Sequence, residues 1–195
     1  MSAVELQIGG FGGQGVILAG MTIGRGLALY DGYHVSLTQS FGPEARGSAC
    51  SVQLMIAPEP ILYPYVSRPH ILIALSQEAY RRFAPRLRPG GTLIIEEQLV
   101  RPEEYPRASC PAGETGIELH RVPAMRMAEE LGRKMVLNMV LVGFFTGVTE
   151  LLTLESARRA VSESVPHGTE ALNLAAFEKG YSFALAQTAA APLAQ

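Results

Sequence analysis

A glycine-rich turn between a predicted strand and a predicted helix carries the clearest chemical signal in the sequence. Its residues Gly-Phe-Gly-Gly-Gln-Gly, positions 10–15, follow the spacing G-x-G-x-x-G. Such glycines allow tight backbone geometry and close approach of a ligand, and free amides at a helix N-terminus favour a phosphate or a carboxylate. The same glycines also serve close packing of a helix on a strand, so both interpretations stay open. The candidate cofactor-binding residues in this turn are Gly10, Gly12, Gly13, Gln14 and Gly15.

A second candidate site is the loop of residues 40–48, Ser-Phe-Gly-Pro-Glu-Ala-Arg-Gly-Ser, which follows the second predicted strand. A doubly wound sheet would place this loop beside the glycine-rich turn at the carboxyl edge, where ligands bind. Arg46 offers a guanidinium fork to a carboxylate or phosphate, and Glu44 can orient it or meet a partner. A surface salt bridge on an ordered loop is the alternative. The candidate binding residues here are Gly42, Glu44, Arg46 and Gly47.

The acid that completes a dinucleotide site is not in its usual place. Such a site holds the cofactor ribose with an acid about 20 residues beyond the glycines, at the end of the second strand. Here that strand ends in Thr38, Gln39 and Ser40, and Asp31 precedes it in an Asp-Gly turn. We therefore expect no NAD, and a free-standing Rossmann reductase is the less favoured alternative.

The elements that must position these residues alternate between strand and helix. Apolar runs predict strands at residues 4–8, 33–38, 49–56, 70–75, 92–96 and 117–122, with helices at 16–29 and 77–87. Helical patterns at 124–131, 134–150, 154–164 and 169–187 fill the C-terminal third. The pattern predicts an α/β fold: a doubly wound, mostly parallel, Rossmann-like sheet with a helical C-terminal region, whose first two strands pair in parallel. We expect one domain over residues 1–187 and a frayed tail over 188–195.

Composition points to a subunit that is covered by a partner. Apolar residues make up 48% and charged residues 17%, against about 25% charged in a typical domain. The net charge is −2 and no basic block is present, so we expect neither nucleic-acid nor anionic-membrane binding. The two cysteines, Cys50 and Cys110, are too few for an iron–sulfur cluster held by this chain alone. The four histidines lack metal-ligand spacing, so no metal is expected.

The remaining sequence signals concern location and one buried amide. We see no secretory signal and expect the cytoplasm. The most apolar stretch, residues 135–148, is shorter than the roughly 18 apolar residues of a membrane span and predicts a buried helix. Asn138 lies within it, and a buried amide needs hydrogen bonds, so we expect Asn138 to join this helix to a loop or a partner.

Several phrases resemble the gamma subunit of 2-oxoacid:ferredoxin oxidoreductases. They are IGGFGGQGVILAG, TQSFGPEARGS, LIALSQEAY, and the segments KMVLNMVLVG and LNLAAFEKGY that contain Asn138 and Asn173. The resemblance runs from about residue 5 to 183 and is strongest to the 2-oxoglutarate branch, in GPEARG and SQEAY. One departure is Ser48, since the family usually has Arg-Gly-Gly where this chain has Arg46-Gly47-Ser48.

The resemblance implies a multi-subunit enzyme that oxidatively decarboxylates a 2-oxoacid, transfers the acyl group to coenzyme A and passes two electrons to ferredoxin. It places thiamine diphosphate, magnesium and iron–sulfur clusters on alpha and beta partners, with delta as a further candidate partner. This chain would then be an accessory subunit, inactive alone, that helps to position coenzyme A through the amides of residues 12–15 and Arg46. The alternative within the same complex is a purely structural assembly subunit. The isolated chain is also a candidate for homodimer formation through apolar surface meant for partners.

Overall fold

Six strands and six α-helices are formed by the residues that the computed structural model describes, which are 3–42, 49–102 and 116–190. The strands are β1 (Val4–Phe11), β2 (His34–Phe41), β3 (Ala49–Ala57), β4 (Ile71–Ala74), β5 (Thr92–Glu96) and β6 (Glu118–Val122). The helices are α1 (Val16–Leu29), α2 (Gln77–Phe83), α3 (Ala124–Glu130), α4 (Leu137–Thr149), α5 (Leu154–Ser164) and α6 (Glu170–Ala190). Short 3-10 turns, Ala84–Arg86 and Lys134–Val136, follow α2 and precede α4.

The strands of this part of the chain form one sheet in the order β2-β3-β1-β4-β5-β6. The pairs β1–β4, β4–β5 and β5–β6 are parallel, whereas β3 runs antiparallel to both β1 and β2. The predicted α/β fold with a helical C-terminal region is confirmed. The predicted direct pairing of the first two strands is wrong, because β3 lies between β1 and β2.

The burial of the two strands explains this order. β3 is buried along most of its length, so it suits an interior position in the sheet. β2 exposes its last three residues and carries Ser36, Thr38 and Ser40 at alternate positions, which suits an edge. A hairpin returns β3 antiparallel to β2, and β3 then pairs with β1 through its other edge.

Helices cover both faces of the sheet, as in a doubly wound fold. Alternate residues of a strand point to opposite faces of its sheet. Accordingly, alternate residues of β4 belong to two different hydrophobic clusters. Ile71 and Ile73 join the larger cluster, which contains α1 and the C-terminal helices. Leu72 and Ala74 join the smaller one, which contains α2. The helices therefore change faces between β1, which leads into α1, and β4, which leads into α2.

Helices α4 and α6 cross at backbone contact. A Cβ atom on Gly143 would overlap the carbonyl group of Phe177, and one on Gly180 would overlap that of Val140. Because backbone atoms form both contacts, glycine is required at both positions. Helix α4 is buried along most of its length, as the sequence predicts. Within the described ranges, no helix has both the length and the apolarity that crossing a membrane requires.

Helices α2 and α5 start at residues whose side chains cap them. Ser76 Oγ accepts a hydrogen bond from Ala79 N at 3.1 Å, and Thr153 Oγ1 accepts one from Ser156 N at 3.3 Å. Both residues therefore act as N-caps of their helices. Helix α1 begins at Val16, after its N-cap residue Gly15, without a side-chain cap. This uncapped start lies at the carboxyl end of β1.

Candidate ligand-binding site

The glycine-rich turn leaves the N-terminus of α1 open. Gly13 has a φ of +101° and Gly15 a φ of +71°, conformations that side chains other than glycine rarely adopt. Gly15 is the N-cap residue, and the first turn of α1 contains no acidic residue. The positive end of this 14-residue helix therefore has neither a side-chain cap nor an acidic residue in its own first turn. Such an end suits an anionic group of a ligand.

Gln14 holds this turn against the neighbouring strand. Its Nε2 donates to the carbonyl oxygen of Leu75 at 2.9 Å, and its Oε1 accepts from the backbone N–H of Phe11 at 2.6 Å. Leu75 follows β4 and Phe11 ends β1, so the side chain spans the point where the helices change faces. Both ends of the Gln14 side-chain amide are hydrogen-bonded to the backbone. Gln14 therefore fixes the position of the backbone amides of the neighbouring glycines.

Asn138 packs behind the turn from helix α4. A Cβ atom on Gly15 would lie only 2.5 Å from Asn138 Nδ2, so the two residues are in direct contact. Asn138 is 3% exposed, and its Oδ1 has no hydrogen-bond partner. The sequence prediction that this amide joins α4 to a loop agrees with the contact to Gly15. The expected hydrogen bond at the carbonyl end is not formed in the part of the chain that the structure describes.

The second candidate loop begins and ends next to the glycine-rich turn. The backbone N–H of Gly42 donates to the carbonyl oxygen of Ala49 at 2.8 Å, and Ala49 pairs with Phe11 at the end of β1. The carboxyl-edge position predicted for this loop therefore agrees with where its two ends lie. Helix α1 returns β2 in the same direction as β1, and the loop is the turn of the hairpin that β2 forms with β3. Three of its candidate residues, Glu44, Arg46 and Gly47, lie outside the described residues.

A cleft of about 340 Å³ joins the two segments on the α2 face of the sheet. Its lining includes Gly10 of the turn and Gly42 at the start of the loop. Its size lies at the lower end of the range for small-molecule sites, about 300–1,000 Å³. The further lining residues are Ser40, Phe41, Ala49, Cys50, Ser51, Glu78, Ala79, Arg82 and Phe83.

The charged residues of the cleft come from helix α2, which the sequence did not single out as a ligand site. The Arg82 guanidinium carbon lies 5.3 Å from the centroid of the Phe83 ring. Glu78 precedes Arg82 by one helical turn and also lines the cleft. The available signal was the position of α2 directly after a buried strand, because such helices begin at the ligand-binding edge of the sheet.

Two acids that could have served a ligand are engaged elsewhere. Asp31 Oδ2 accepts from Thr153 N at 2.9 Å and its Oδ1 accepts from Ser156 Oγ at 2.5 Å, so Asp31 binds the start of α5. It follows the far end of α1, about 20 Å from the glycine-rich turn at 1.5 Å per helical residue. Glu96 is fully buried and accepts from backbone N–H groups, including that of Met125 at 3.1 Å.

Cysteine and metal chemistry have little support in the described part of the chain. Cys50 is a free, buried cysteine, and burial raises the pKa of its thiol, so the reactive thiolate is disfavoured. Cys110 lies outside the described residues. Within the described ranges, no group of three or more histidine, cysteine, aspartate or glutamate residues could hold a metal ion.

The fold and the site together define an α/β domain with a polar cleft at the carboxyl edge of its sheet, beside the strands where the helices change faces. The family model described as pyruvate ferredoxin/flavodoxin oxidoreductase matches residues 5–183. The chain belongs to this family, and the resemblance seen in the sequence is confirmed.

Similar proteins cover almost the whole chain. This chain is 42% identical over 181 residues to the 2-oxoglutarate synthase subunit KorC of Methanocaldococcus jannaschii. The match covers 92% of this chain and 93% of that subunit. Among solved structures, the gamma subunit of a keto/oxoacid ferredoxin oxidoreductase from Geobacter sulfurreducens PCA superposes with a TM-score of 0.80 at 30% identity, covering 95% and 98% of the two chains.

A second solved structure shares the fold within a longer chain. The 2-oxoglutarate:ferredoxin oxidoreductase from Magnetococcus marinus, solved with 2-oxoglutarate, coenzyme A and succinyl-CoA bound, superposes with a TM-score of 0.79 at 23% identity. The match covers 98% of this chain but 32% of that one. In that protein the same fold is therefore one part of a larger polypeptide.

Proposed function

We propose that this chain is the gamma subunit of a 2-oxoglutarate:ferredoxin oxidoreductase. The near full-length similarity to a 2-oxoglutarate synthase subunit is the observation that carries this proposal. The complex would convert a 2-oxoacid and coenzyme A into an acyl-CoA thioester, carbon dioxide, one proton and two electrons, which two ferredoxins accept singly. The predicted compartment is the cytoplasm, and ferredoxin would meet the complex and not this chain alone.

The redox and carbanion chemistry would belong to alpha and beta partners, with delta as a further candidate. The described residues do not fit a metal ion, and their one cysteine cannot hold an iron–sulfur cluster. We therefore assign thiamine diphosphate, magnesium and the clusters to the partners. The occurrence of this fold within a longer chain supports a domain that works against another polypeptide.

The role proposed for this chain is to position coenzyme A at the carboxyl edge of its sheet. The cleft supports this role because Gly10 and Gly42, from the two segments singled out in the sequence, both line it. The amides of Gly12, Gly13 and Gly15 would face phosphate at the open start of α1. In the second segment, Glu44, Arg46 and Gly47 keep their predicted role as ligand residues, and Arg46 would pair with a phosphate.

A purely structural role is the second candidate, and one surface feature favours it. Leu62, Tyr63 and Tyr65 are 97%, 65% and 56% exposed on the segment between β3 and β4. Large apolar side chains grouped on one segment are typical of a protein–protein interface. The same surface would support a homodimer of the isolated chain.

Co-expression of this chain with its alpha and beta partners tests the proposal. Affinity purification should yield one complex that reduces ferredoxin or viologen with coenzyme A present, and 2-oxoglutarate should give the highest kcat/KM among several 2-oxoacids. A preparation without this chain is the control. Equal activity of that preparation, with this chain purifying alone, would overturn the proposal.

One variant separates the two candidate roles. Arg46→Ala should raise the KM for coenzyme A about 10-fold or more, since a charged hydrogen bond contributes about 1.5–3 kcal/mol. Unchanged KM in a fully assembled complex would favour the structural role.

A further inference from the structure

Arg82 has a charge that no carboxylate of the described residues neutralises. Its guanidinium stacks on Phe83 with 5.3 Å between the guanidinium carbon and the ring centroid, and it lines the carboxyl-edge cleft. No carboxylate of the described residues lies within ion-pair distance of it. Nearby arginines differ: Arg86 donates to the carbonyl oxygens of Val66 and Ser67, and Arg88 pairs with Glu5 at 3.1 Å.

The absence of an ion pair with any of the described residues is informative, because a suitable carboxylate lies on the same helix as Arg82. Glu78 and Arg82 are four residues apart, in the order that favours an ion pair on a helix surface. The structure instead places the guanidinium over the Phe83 ring. A guanidinium retains its in-plane N–H donors when an aromatic ring covers one face. Arg82 is therefore oriented by Phe83 and keeps donors for a group in the cleft.

We propose that Arg82 binds the anionic group, a phosphate or a carboxylate, of a molecule seated in this cleft. The inference rests on the proposed function and deepens it by naming the residue that anchors the ligand. Ser40 and Ser51 line the same cleft and add hydroxyl groups, while Phe41 and Phe83 add apolar surface. The ligand class is thus a molecule with one anionic end and an uncharged or aromatic body.

Glu78 sets a limit on the charge of this ligand. Its carboxylate lines the same cleft and forms no ion pair among the described residues. It would repel a second anionic group placed near it and would accept a hydrogen bond from a neutral donor. Replacing it with glutamine removes this repulsion, so Glu78 is a second position at which the inference can be tested.

The test uses the intact complex and a matched pair of variants. Arg82→Ala should raise the KM for one substrate at least 10-fold with little change in kcat, and Glu78→Gln should lower the same KM. Arg81→Ala is the control, because it removes the same charge from the neighbouring position of α2 and Arg81 does not line the cleft. Arg82→Lys keeps the charge without the planar fork and should give an intermediate KM.

Two sources of the anionic group are distinguished in the same assay. A rise confined to the KM for coenzyme A assigns Arg82 to a phosphate of that molecule, and a rise confined to the 2-oxoacid assigns it to the substrate carboxylate. Adenosine 3′,5′-bisphosphate serves as the probe for direct calorimetric binding to the full chain, in the wild type and in each variant.

If Arg82→Ala changes neither KM and leaves bisphosphate binding unchanged, the inference is overturned. If Arg82→Ala fails to assemble, Glu78→Gln without any change in KM overturns it as well. The wild-type complex reports separately on the proposed function, because its rate with 2-oxoglutarate does not depend on what Arg82 is found to do.

Discussion

The side chain of Gln14 connects the carboxyl ends of two adjacent parallel strands through the carbonyl oxygen of Leu75, at 2.9 Å from Nε2. Its other end accepts from Phe11 N at 2.6 Å. In an open α/β sheet the crevice between two such strands is where ligands bind. Here a protein side chain spans it, so space for a ligand lies to one side, in the cleft beneath the hairpin of β2 and β3.

Removing the Gln14 amide should destabilise the fold and loosen the turn. Gln14→Ala loses two hydrogen bonds, and at about 0.5–1.5 kcal/mol each we expect a loss of about 1–3 kcal/mol in the free energy of unfolding. Gln14→Glu should be no better, because a carboxylate cannot donate to Leu75. Urea denaturation measures both, with the exposed Gln98→Ala as the control. A loss no larger than that of the control would contradict the role given to Gln14.

Gly15 should be energetically coupled to Asn138. Gly15→Ala places a side chain in left-handed backbone, which costs about 1–2 kcal/mol, and brings its Cβ against Asn138 Nδ2. The substitution should therefore cost less in an Asn138→Ala background, with a coupling energy of about 0.5–3 kcal/mol in a double-mutant cycle. Gly13→Ala is the control, because a Cβ there meets nothing within 4 Å. Its cost should be the same in both backgrounds.

The sequence predicted most elements within a few residues because hydrophobic periodicity and turn residues act locally. It predicted residues 92–96 and 154–164 with the bounds that the structure has. The sheet order was missed because strand neighbours depend on how evenly each strand buries its two faces. β3 is buried almost throughout and β2 is not, a contrast that could have placed β2 at the edge.

The candidate site was predicted only for residues that lie in recognisable turns. The glycine-rich turn and the ends of the second loop do come together. Arg82 was missed because a charged residue in the middle of a helix is typical of a solvent-exposed face. What distinguishes it is its place in the cleft and the lack of an ion pair with any of the described residues. Asn138 was found as a costly buried amide, but its contact with Gly15 depends on how α4 packs against α1.

Asp31 should contribute to stability and not to ligand binding. Asp31→Ala removes the acceptor of Thr153 N and of the Thr153 and Ser156 hydroxyls at the start of α5. By analogy with helix caps, we expect a loss of about 0.5–2 kcal/mol in the free energy of unfolding. The KM for coenzyme A should be unchanged, and NADH fluorescence should respond equally to the variant and the wild type. An effect on either binding measurement would return Asp31 to the ligand site.

Gly143 should tolerate no side chain. Gly143→Ala would drive a methyl group into the carbonyl of Phe177 and separate α4 from α6, so we expect a loss of about 3 kcal/mol or more. Gly24→Ala on α1 is the matched control, because its Cβ would first meet a flexible Leu54 methyl at 3.2 Å. Alanine gains up to about 1 kcal/mol over glycine in a helix, so Gly24→Ala should stay within about 1 kcal/mol of the wild type. Equal melting temperatures for the two variants would contradict the close crossing.

His70 should make the fold less stable as the pH falls. Burial first, and then the charge of Arg88, hold the pKa of His70 below its ordinary value of 6.5, while Glu5 opposes the shift. The Nδ1 atom accepts from Glu5 N at 2.9 Å, which requires that nitrogen to be unprotonated. Below about pH 6.5 the unfolded chain therefore binds a proton that the folded chain does not.

The contribution of His70 to the free energy of unfolding is thus complete above the pKa that His70 has in the unfolded chain. It is lost progressively as the pH falls toward the pKa of His70 in the folded chain. Urea denaturation between about pH 7.5 and 5 should show a decline in wild-type stability that His70→Gln reduces. Glutamine keeps a side-chain acceptor for Glu5 N but does not titrate, so a reduced slope reports the proton and not the lost contact. His34→Gln, at an exposed position that begins β2, should retain the wild-type slope. Parallel pH profiles for wild type and His70→Gln would show that the proton is taken up elsewhere.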